Sequence, residues 1–289
     1  MVARMSGGIA VERNILCIAH GEAHGQILLV DLSDGRLVSR FRFSGRDGDF
    51  ADAAAVALDT NFAVFVADTR NDLVRRFTAL GREVGQFGRA VDRGPGAVER
   101  DRVGTLDRPR AVAVHDGQLW VAGGDRKLIR GLQRFDIATG EALGYVRSLG
   151  EEDRRYGAPR GLCVDAEGVL LADTLHGLVQ RFTADARFVG FVRTAADPAD
   201  TSRPVAVLRL AGGDLLVADQ GDRGGVFRVG LAGERRAGPD GRFEDPTALA
   251  RDGRGNIYVL DRHGERVHRL APDLRYLGVV VDLAELPCE

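Results

Sequence analysis

Apolar residues in this chain come in short runs broken by polar turns, and the runs recur in sets. Val64 to Ala67 is followed by Leu73 to Phe77, and the same pair returns as Val169 to Ala172 and Leu178 to Phe182. Runs of roughly 4–6 residues bounded by Gly, Asp, Asn and Ser predict strands rather than helices. Within a run the apolar positions do not alternate strictly with polar ones. That pattern suits strands covered on both faces.

The sets repeat. Arg108-Pro109-Arg110-Ala111-Val112-Ala113-Val114 aligns with Ala158-Pro159-Arg160-Gly161-Leu162-Cys163-Val164, with Arg203-Pro204-Val205-Ala206-Val207-Leu208 and with Asp245-Pro246-Thr247-Ala248-Leu249-Ala250. Two further segments fit with the proline lost, Ala53 to Leu58 and Ser6 to Val11. The proline slot falls at positions 6, 53, 109, 159, 204 and 246, at steps of 42 to 56 residues, and the remaining length closes one more step. After each first run comes a second that ends in Ala-Asp or its like: Val66-Ala67-Asp68, Leu171-Ala172-Asp173, Val217-Ala218-Asp219 and Val259-Leu260-Asp261. The first and third repeats depart there, with Ala19-His20 and Ala122-Gly123. A third and a fourth run complete most units, the fourth being Glu83 to Phe87, Leu143 to Val146, Phe188 to Val192 and Tyr276 to Val280.

Four strands per repeat of about 48 residues is one propeller blade. The predicted fold class is therefore all-β: a six-bladed β-propeller of four-stranded antiparallel blades. It forms a single domain over 1–289, with blades at approximately 6–45, 50–88, 106–149, 157–194, 203–238 and 244–281 and no long helix. A single blade is marginal alone and is covered only when neighbours stack on both sides. Small residues (Ala55, Ala57, Ala111, Ala113, Gly161, Ala206, Ala248) occupy the innermost strand, where blades converge. Proline at the start of that strand costs no ladder donor. The last blade is expected to use Leu274 to Val280 as its outer strand.

Proline-x-Gly/Ala-Val-Ala-Val, then Val-Ala-Asp, then a loop asparagine such as Asn71 followed by Leu73 and Val74, resembles the NHL repeat. In blades four and six the asparagine slot holds His176 and Gly264. The resemblance covers nearly the whole chain and is loosest in blade one and in the outer strand of blade five, Gly233 to Gly238. It implies the fold. NHL-like propellers include protein and RNA interaction modules and a few lyases and hydrolases, so it implies no one activity. Peptide-amidating lyases of this architecture hold metal with histidines at inner positions, where this chain has Gly, Ala, Arg, Val and Thr. The acidic and asparagine metal cluster of lactonase-type propellers has no counterpart here.

Charge changes the picture little. Lys+Arg number 40 and Asp+Glu 42, a net charge of −2, which gives no global attraction to nucleic acid or anionic lipid. The three cysteines, Cys17, Cys163 and Cys288, form no C-x-x-C pair, and two sit in apolar runs. That fits a reducing compartment. With no apolar leader in Met1 to Ala10 and no apolar run of membrane-spanning length, the expectation is a cytoplasmic protein with no membrane partner.

Candidate chemistry concentrates on one face, where the blade-to-blade connections and the loops between second and third strands emerge. The long connections Gly88 to Thr105, Gly150 to Gly157 and Arg193 to Ser202 all belong there, either as binding loops or as tolerated insertions. The residue after the proline slot belongs at the channel mouth, and around the ring it reads Gly7, Ala54, Arg110, Arg160, Val205, Thr247. Arg110 and Arg160 come from adjacent blades, and two guanidinium forks suit a carboxylate or phosphate. The alternative pairs each with an internal acid such as Asp107, Glu151 or Asp153.

His20, His24, His176 and His263 fall at second-to-third-strand loops and are weak candidates for a metal site. Solvent-exposed or hydrogen-bonding histidine is the plainer reading, and His115 and His268 lie toward strand ends. The recurring Asp68, Asp173, Asp219 and Asp261 read as architectural, and Trp120 as core. No Gly-x-Ser-x-Gly elbow, P-loop or dinucleotide fingerprint is present. The expectation is a non-catalytic module with no cofactor that binds a protein, peptide or small anionic ligand. A lyase or hydrolase at the channel mouth is the alternative, and an RNA partner is supported only by the face arginines.

Overall fold

The computed structural model describes residues 8–20, 26–43, 53–90, 103–124, 131–147, 158–195, 197, 199–239, 243–263 and 265–286. The strands form six four-stranded sheets, each with its strands paired in chain order, and no helix occurs among the described residues. Blade 1 is Ile9–Glu12, Ile15–His20, Gln26–Asp31 and Leu37–Arg42; blade 2 is Ala53–Leu58, Val64–Asp68, Leu73–Phe77 and Glu83–Phe87. Blade 3 is Pro109–His115, Gln118–Gly123, Gly131–Asp136 and Ala142–Arg147; blade 4 is Pro159–Asp165, Gly168–Asp173, Leu178–Phe182 and Phe188–Arg193. Blade 5 is Pro204–Arg209, Leu215–Asp219, Gly225–Val229 and Arg235–Arg236; blade 6 is Pro246–Arg251, Ile257–Asp261, Arg266–Leu270 and Tyr276–Asp282. The protein is thus the expected all-β six-bladed propeller. The outer strand of blade 5, where the repeat is loosest, shrinks to two residues.

The core lies in the seams between blades. Along the second strand of blade 2, Val64 and Val66 pack with Cys17, Ile27 and Leu29 of blade 1, while Phe65 and Ala67 pack with Leu119, Val121 and Phe135 of blade 3. Successive side chains of a strand point to opposite faces, and here both faces are seams. That is why the second strands read as unbroken apolar runs. Trp120 is buried in the seam between blades 3 and 4, as expected of a core residue. Among the described residues the ring closes without a shared strand. Blade 1 comes wholly from the start of the chain and blade 6 from its end, and Ile9, Leu16, Leu28 and Val30 pack against Tyr258, Leu260, Val267 and Val281.

The first strand of five blades carries the same irregularity. The register skips one residue between Ala53 and Ala55, Pro109 and Ala111, Pro159 and Gly161, Pro204 and Ala206, and Pro246 and Ala248. Each skip is a β-bulge, which re-aims the extra side chain away from the ladder. The extra residue is the one after the proline slot. Just inside it, adjacent first strands nearly touch. A Cβ on Gly161 would meet the Ala206 Cα at 2.6 Å, so only glycine fits there.

The aspartates that end the second strands are dry and fully engaged. Asp68 accepts two bonds from the Asn71 amide at 2.9 Å and faces Arg75 Nε at 2.9 Å. Asp173 accepts from Gln180 at 3.0 Å and lies 2.9 Å from His176 Nδ1. Asp219 accepts from the Arg203 backbone N–H at 3.0–3.1 Å, and Asp261 accepts from the backbone N–H of Glu244 and Asp245 at 2.8 and 3.0 Å. The first two hold their own loop and the last two hold the incoming linker. The next residue reaches across the seam. Thr69 donates to the Pro109 carbonyl and Thr174 to the Pro204 carbonyl, each at 2.7 Å.

His268 departs from its expected place near a strand end. It is the central residue of Arg266–Leu270, buried beside Phe243, with Nδ1 3.0 Å from Tyr276 Oη. Burial holds its pKa below the ordinary value of 6.5, against a smaller opposing pull from Asp261. The unfolded chain therefore binds this proton more readily. Stability should be full above about pH 6.5 and fall as pH drops toward the depressed folded value. His268→Gln should flatten that part of the stability–pH curve measured by urea unfolding. An unchanged slope would contradict the assignment.

Asp173→Ala orphans the donors of His176 and Gln180 in a fully buried site. It should lower unfolding free energy by about 1–3 kcal/mol in urea titration. A variant with wild-type stability would show the aspartate is not architectural.

Candidate anion site at the channel mouth

The bulges deliver their side chains to one place. A cavity of about 100 Å³ at the mouth of the central channel is lined by Ala54, Arg110, Arg160, Val205 and Thr247, the bulged residues of blades 2 to 6. In blade 1 the lining residue is Gly8, while Gly7 lies outside the described residues. Arg110 and Arg160, from adjacent blades, both line this cavity. Deeper in the channel the wall turns apolar, with Ile9, Val56, Val112, Leu162, Val207 and Leu249.

Two lining side chains were not singled out from the sequence. Gln220 and Arg262 follow the terminal aspartates of the second strands in blades 5 and 6, and both line the cavity. They share one carboxylate. Arg262 Nε donates to Asp245 at 2.7 Å, its Nη2 lies 2.5 Å from the same oxygen, and the Gln220 amide donates to the other oxygen. The signal for them was present in the repeat. That position is threonine in blades 2 and 4 and becomes Gln and Arg in blades 5 and 6.

Three arginines line the cavity, and no acidic residue lines it among the described residues. Asp245 stands behind Arg262 and is occupied by it. Neither Arg110 nor Arg160 is idle, since each has an interaction within the chain, and Asp107 is buried and engaged as well. Glu151 and Asp153 lie outside the described residues. Guanidinium groups clustered at a partly enclosed rim raise the local potential for an anion and keep their charge at any working pH.

The backbone entering this wall is unusual. Arg108 has φ of 45° and Ala158 has φ of 152°, each directly before the proline of an arginine-bearing blade. Residues before proline favour extended backbone with negative φ. Arg203 and Asp245, at the same position in blades 5 and 6, have no positive φ. Arg108 is held by its N–H, which donates to Asp72 at 2.8 Å.

The histidines do not join this site. His20 closes a second strand rather than lying in a loop, His176 is bound to Asp173, and His263 is exposed with Nδ1 2.6 Å from Glu244. None of the three lines the cavity, and His24 lies outside the described residues. Among the described residues no three His, Cys, Asp or Glu side chains converge where they could hold a metal ion.

Of the long connections, 91–102 (with Arg93, Arg100 and Arg102) and 148–157 lie outside the described residues. The stem of the first is pinned. Arg89–Ala90 pairs in parallel with Thr105–Leu106, and the Gly104 N–H donates to Gln133 at 2.7 Å. No helix among the described residues is long and apolar enough to cross a membrane.

Comparison with solved structures finds the same fold over nearly the whole chain. A protein of unknown function from Bacteroides caccae aligns with a TM-score of 0.65 at 14% identity, covering 94% of this chain and 96% of that one. A streptogramin B lyase aligns with a TM-score of 0.63 at 13% identity, covering 99% and 84%. Virginiamycin B lyase from Staphylococcus aureus aligns with a TM-score of 0.62 at 14% identity, covering 93% and 82%. At these identities the likeness is one of fold. No family model matches the sequence, and no curated protein matches it.

Ala158→Gly tests the strain beside the site. Glycine adopts positive φ freely, so the change should stabilise the protein by about 1 kcal/mol, contrary to the usual loss for Ala→Gly. A lower melting temperature would show that Ala158 is not strained.

Proposed function

We propose that this protein is an NHL-like propeller of the cytoplasm that binds the anionic group of a small ligand, peptide or protein partner at the channel mouth. Arg110 and Arg160 are its principal contacts, and Arg262, Gln220 and Thr247 form the opposite wall. The observation that carries the reading is that Arg110, Arg160 and Arg262 all line one cavity whose described lining holds no acidic residue. Its size suits a phosphate, or a carboxylate on a short apolar stem directed toward Val112, Leu162 and Leu249. The planar fork of arginine pairs with either group through two parallel bonds.

A lyase or hydrolase at the same mouth is the second reading. Two of the similar structures are lyases, and their likeness extends over most of both chains. The cavity wall argues for binding over turnover. Proton transfer near neutral pH calls for groups such as His, Glu, Asp, Lys, Tyr or Cys. The described lining offers Arg, Gln, Thr and apolar side chains.

The test is calorimetric titration with phosphate and with a short-chain carboxylate. Each charge-assisted bond contributes about 1.5–3 kcal/mol, so Arg110→Gln/Arg160→Gln should weaken binding of the short-chain carboxylate at least ~100-fold and remove the channel-mouth component of phosphate binding. Circular dichroism and melting temperature should stay those of the parent. Affinity unchanged in the double variant, or no anion binding by the parent protein, would overturn the reading.

A further inference from the structure

A second cluster of arginines lies on the opposite face, where the ring closes. The turn between the first two strands of blade 1 supplies Arg13 and Asn14, and the equivalent turn of blade 6 supplies Asp252 and Arg254. Between them, with Arg269 from the third strand of blade 6, is a hollow of about 570 Å³. Tyr258 and Leu32 form its apolar side.

The acids around this hollow are committed elsewhere. Asp252 accepts from the backbone N–H of Arg254 and Asn256 at 2.9 and 2.8 Å, from the Asn256 amide at 2.7 Å and from Tyr258 Oη at 3.1 Å. Burial, chiefly, pushes the Tyr258 pKa up to about 12, so the hydroxyl keeps the proton it donates. Asp31 of blade 1 accepts from Asn14 at 2.9 Å and from Ser33 at 2.6–2.8 Å. The contact of Arg13 with Glu12 is 3.9 Å long and exposed, which leaves little attraction.

The repeat sharpens the point. Arg269 fills a slot that also holds Arg76, Arg134, Arg181 and Arg228, and of these the arginines of blades 2 and 5 meet an acid. Arg76 Nη2 lies 3.7 Å from Asp59 and Arg228 Nε 2.5 Å from Asp214, each an acid of the turn in its own blade. In blade 6 that acid is Asp252, and it bonds Tyr258 and Asn256 instead. Among the described residues Arg269 has no carboxylate within ion-pair distance, and its Nε is buried without a hydrogen bond.

The geometry points to a second anion site in this hollow, one that takes a phosphate monoester between Arg13 of blade 1 and Arg254 and Arg269 of blade 6. A tetrahedral dianion meets several guanidinium forks at once, and the hollow leaves room for the group esterified to it. Its occupant bridges the first and last blades, at the seam where their side chains pack together. The site is separate from the channel mouth and shares no residue with it.

Calorimetric titration with inorganic phosphate tests this in the Arg110→Gln/Arg160→Gln background, which removes the channel contacts. One saturable site should remain. Adding Arg13→Gln, a change at an exposed side chain that leaves folding intact, should weaken it at least ~5-fold. Adding Arg13→Gln and Arg269→Gln together should abolish it. Failure of the channel variant to bind phosphate, or binding indifferent to Arg13→Gln, would overturn the inference. Either result leaves the channel reading to its own titration.

Discussion

A carboxylate held dry at the end of a blade's second strand is the interaction on which the mouth of this propeller depends. In blades 5 and 6 it takes the backbone N–H groups of the incoming linker, and in blades 2 and 4 it ties down the loop that precedes the third strand. The residue beside it then crosses the seam to the next blade, as Thr69 and Thr174 do. Linker, bulge and neighbouring blade are thereby fixed to one another. A buried carboxylate is tolerated only with its acceptor sites filled. The bulge in turn frees one side chain from the ladder in each of five blades and places it in the lining of the channel.

Much of this was legible in the sequence, because a repeat states its own exceptions. The proline slot and the Ala-Asp ending of the second strand recur often enough to give strand number, blade number and the place of Arg110 and Arg160. The bulge itself was not legible. A register skip is a relation between two strands, and the local pattern of Pro159-Arg160-Gly161 fits a regular strand equally well. Gln220 and Arg262 escaped notice because they sit one residue beyond an aspartate read as structural. Comparison with threonine at the same slot would have exposed them. His268 was misplaced for a different reason: in a strand covered on both faces, a polar residue looks like an end.

The arginines of the third strands form a feature that a residue-by-residue reading overlooks. Arg76, Arg134, Arg181, Arg228 and Arg269 fill one slot in five blades. Arg134 lies over Trp120 and Arg76 over Phe65, with the guanidinium carbon 5.2 and 5.5 Å from the ring centre. Arg76 and Arg228 also meet a carboxylate of their own blade. Near-neutral composition conceals this arrangement. A net charge of −2 is compatible with concentrated positive potential at two places on opposite faces, because acids and arginines are distributed by blade position rather than evenly.

The account stands on an anion being held by Arg110 and Arg160 at the mouth of the channel. Anomalous diffraction from crystals soaked in selenate, a phosphate-like oxyanion with a strong anomalous scatterer, addresses it directly. The account predicts a selenium peak in the channel-mouth cavity, with selenate oxygens about 2.7–3.2 Å from guanidinium nitrogens of both arginines. A cavity with no peak, or both arginines turned away from the channel onto internal carboxylates while selenate binds elsewhere, would contradict it.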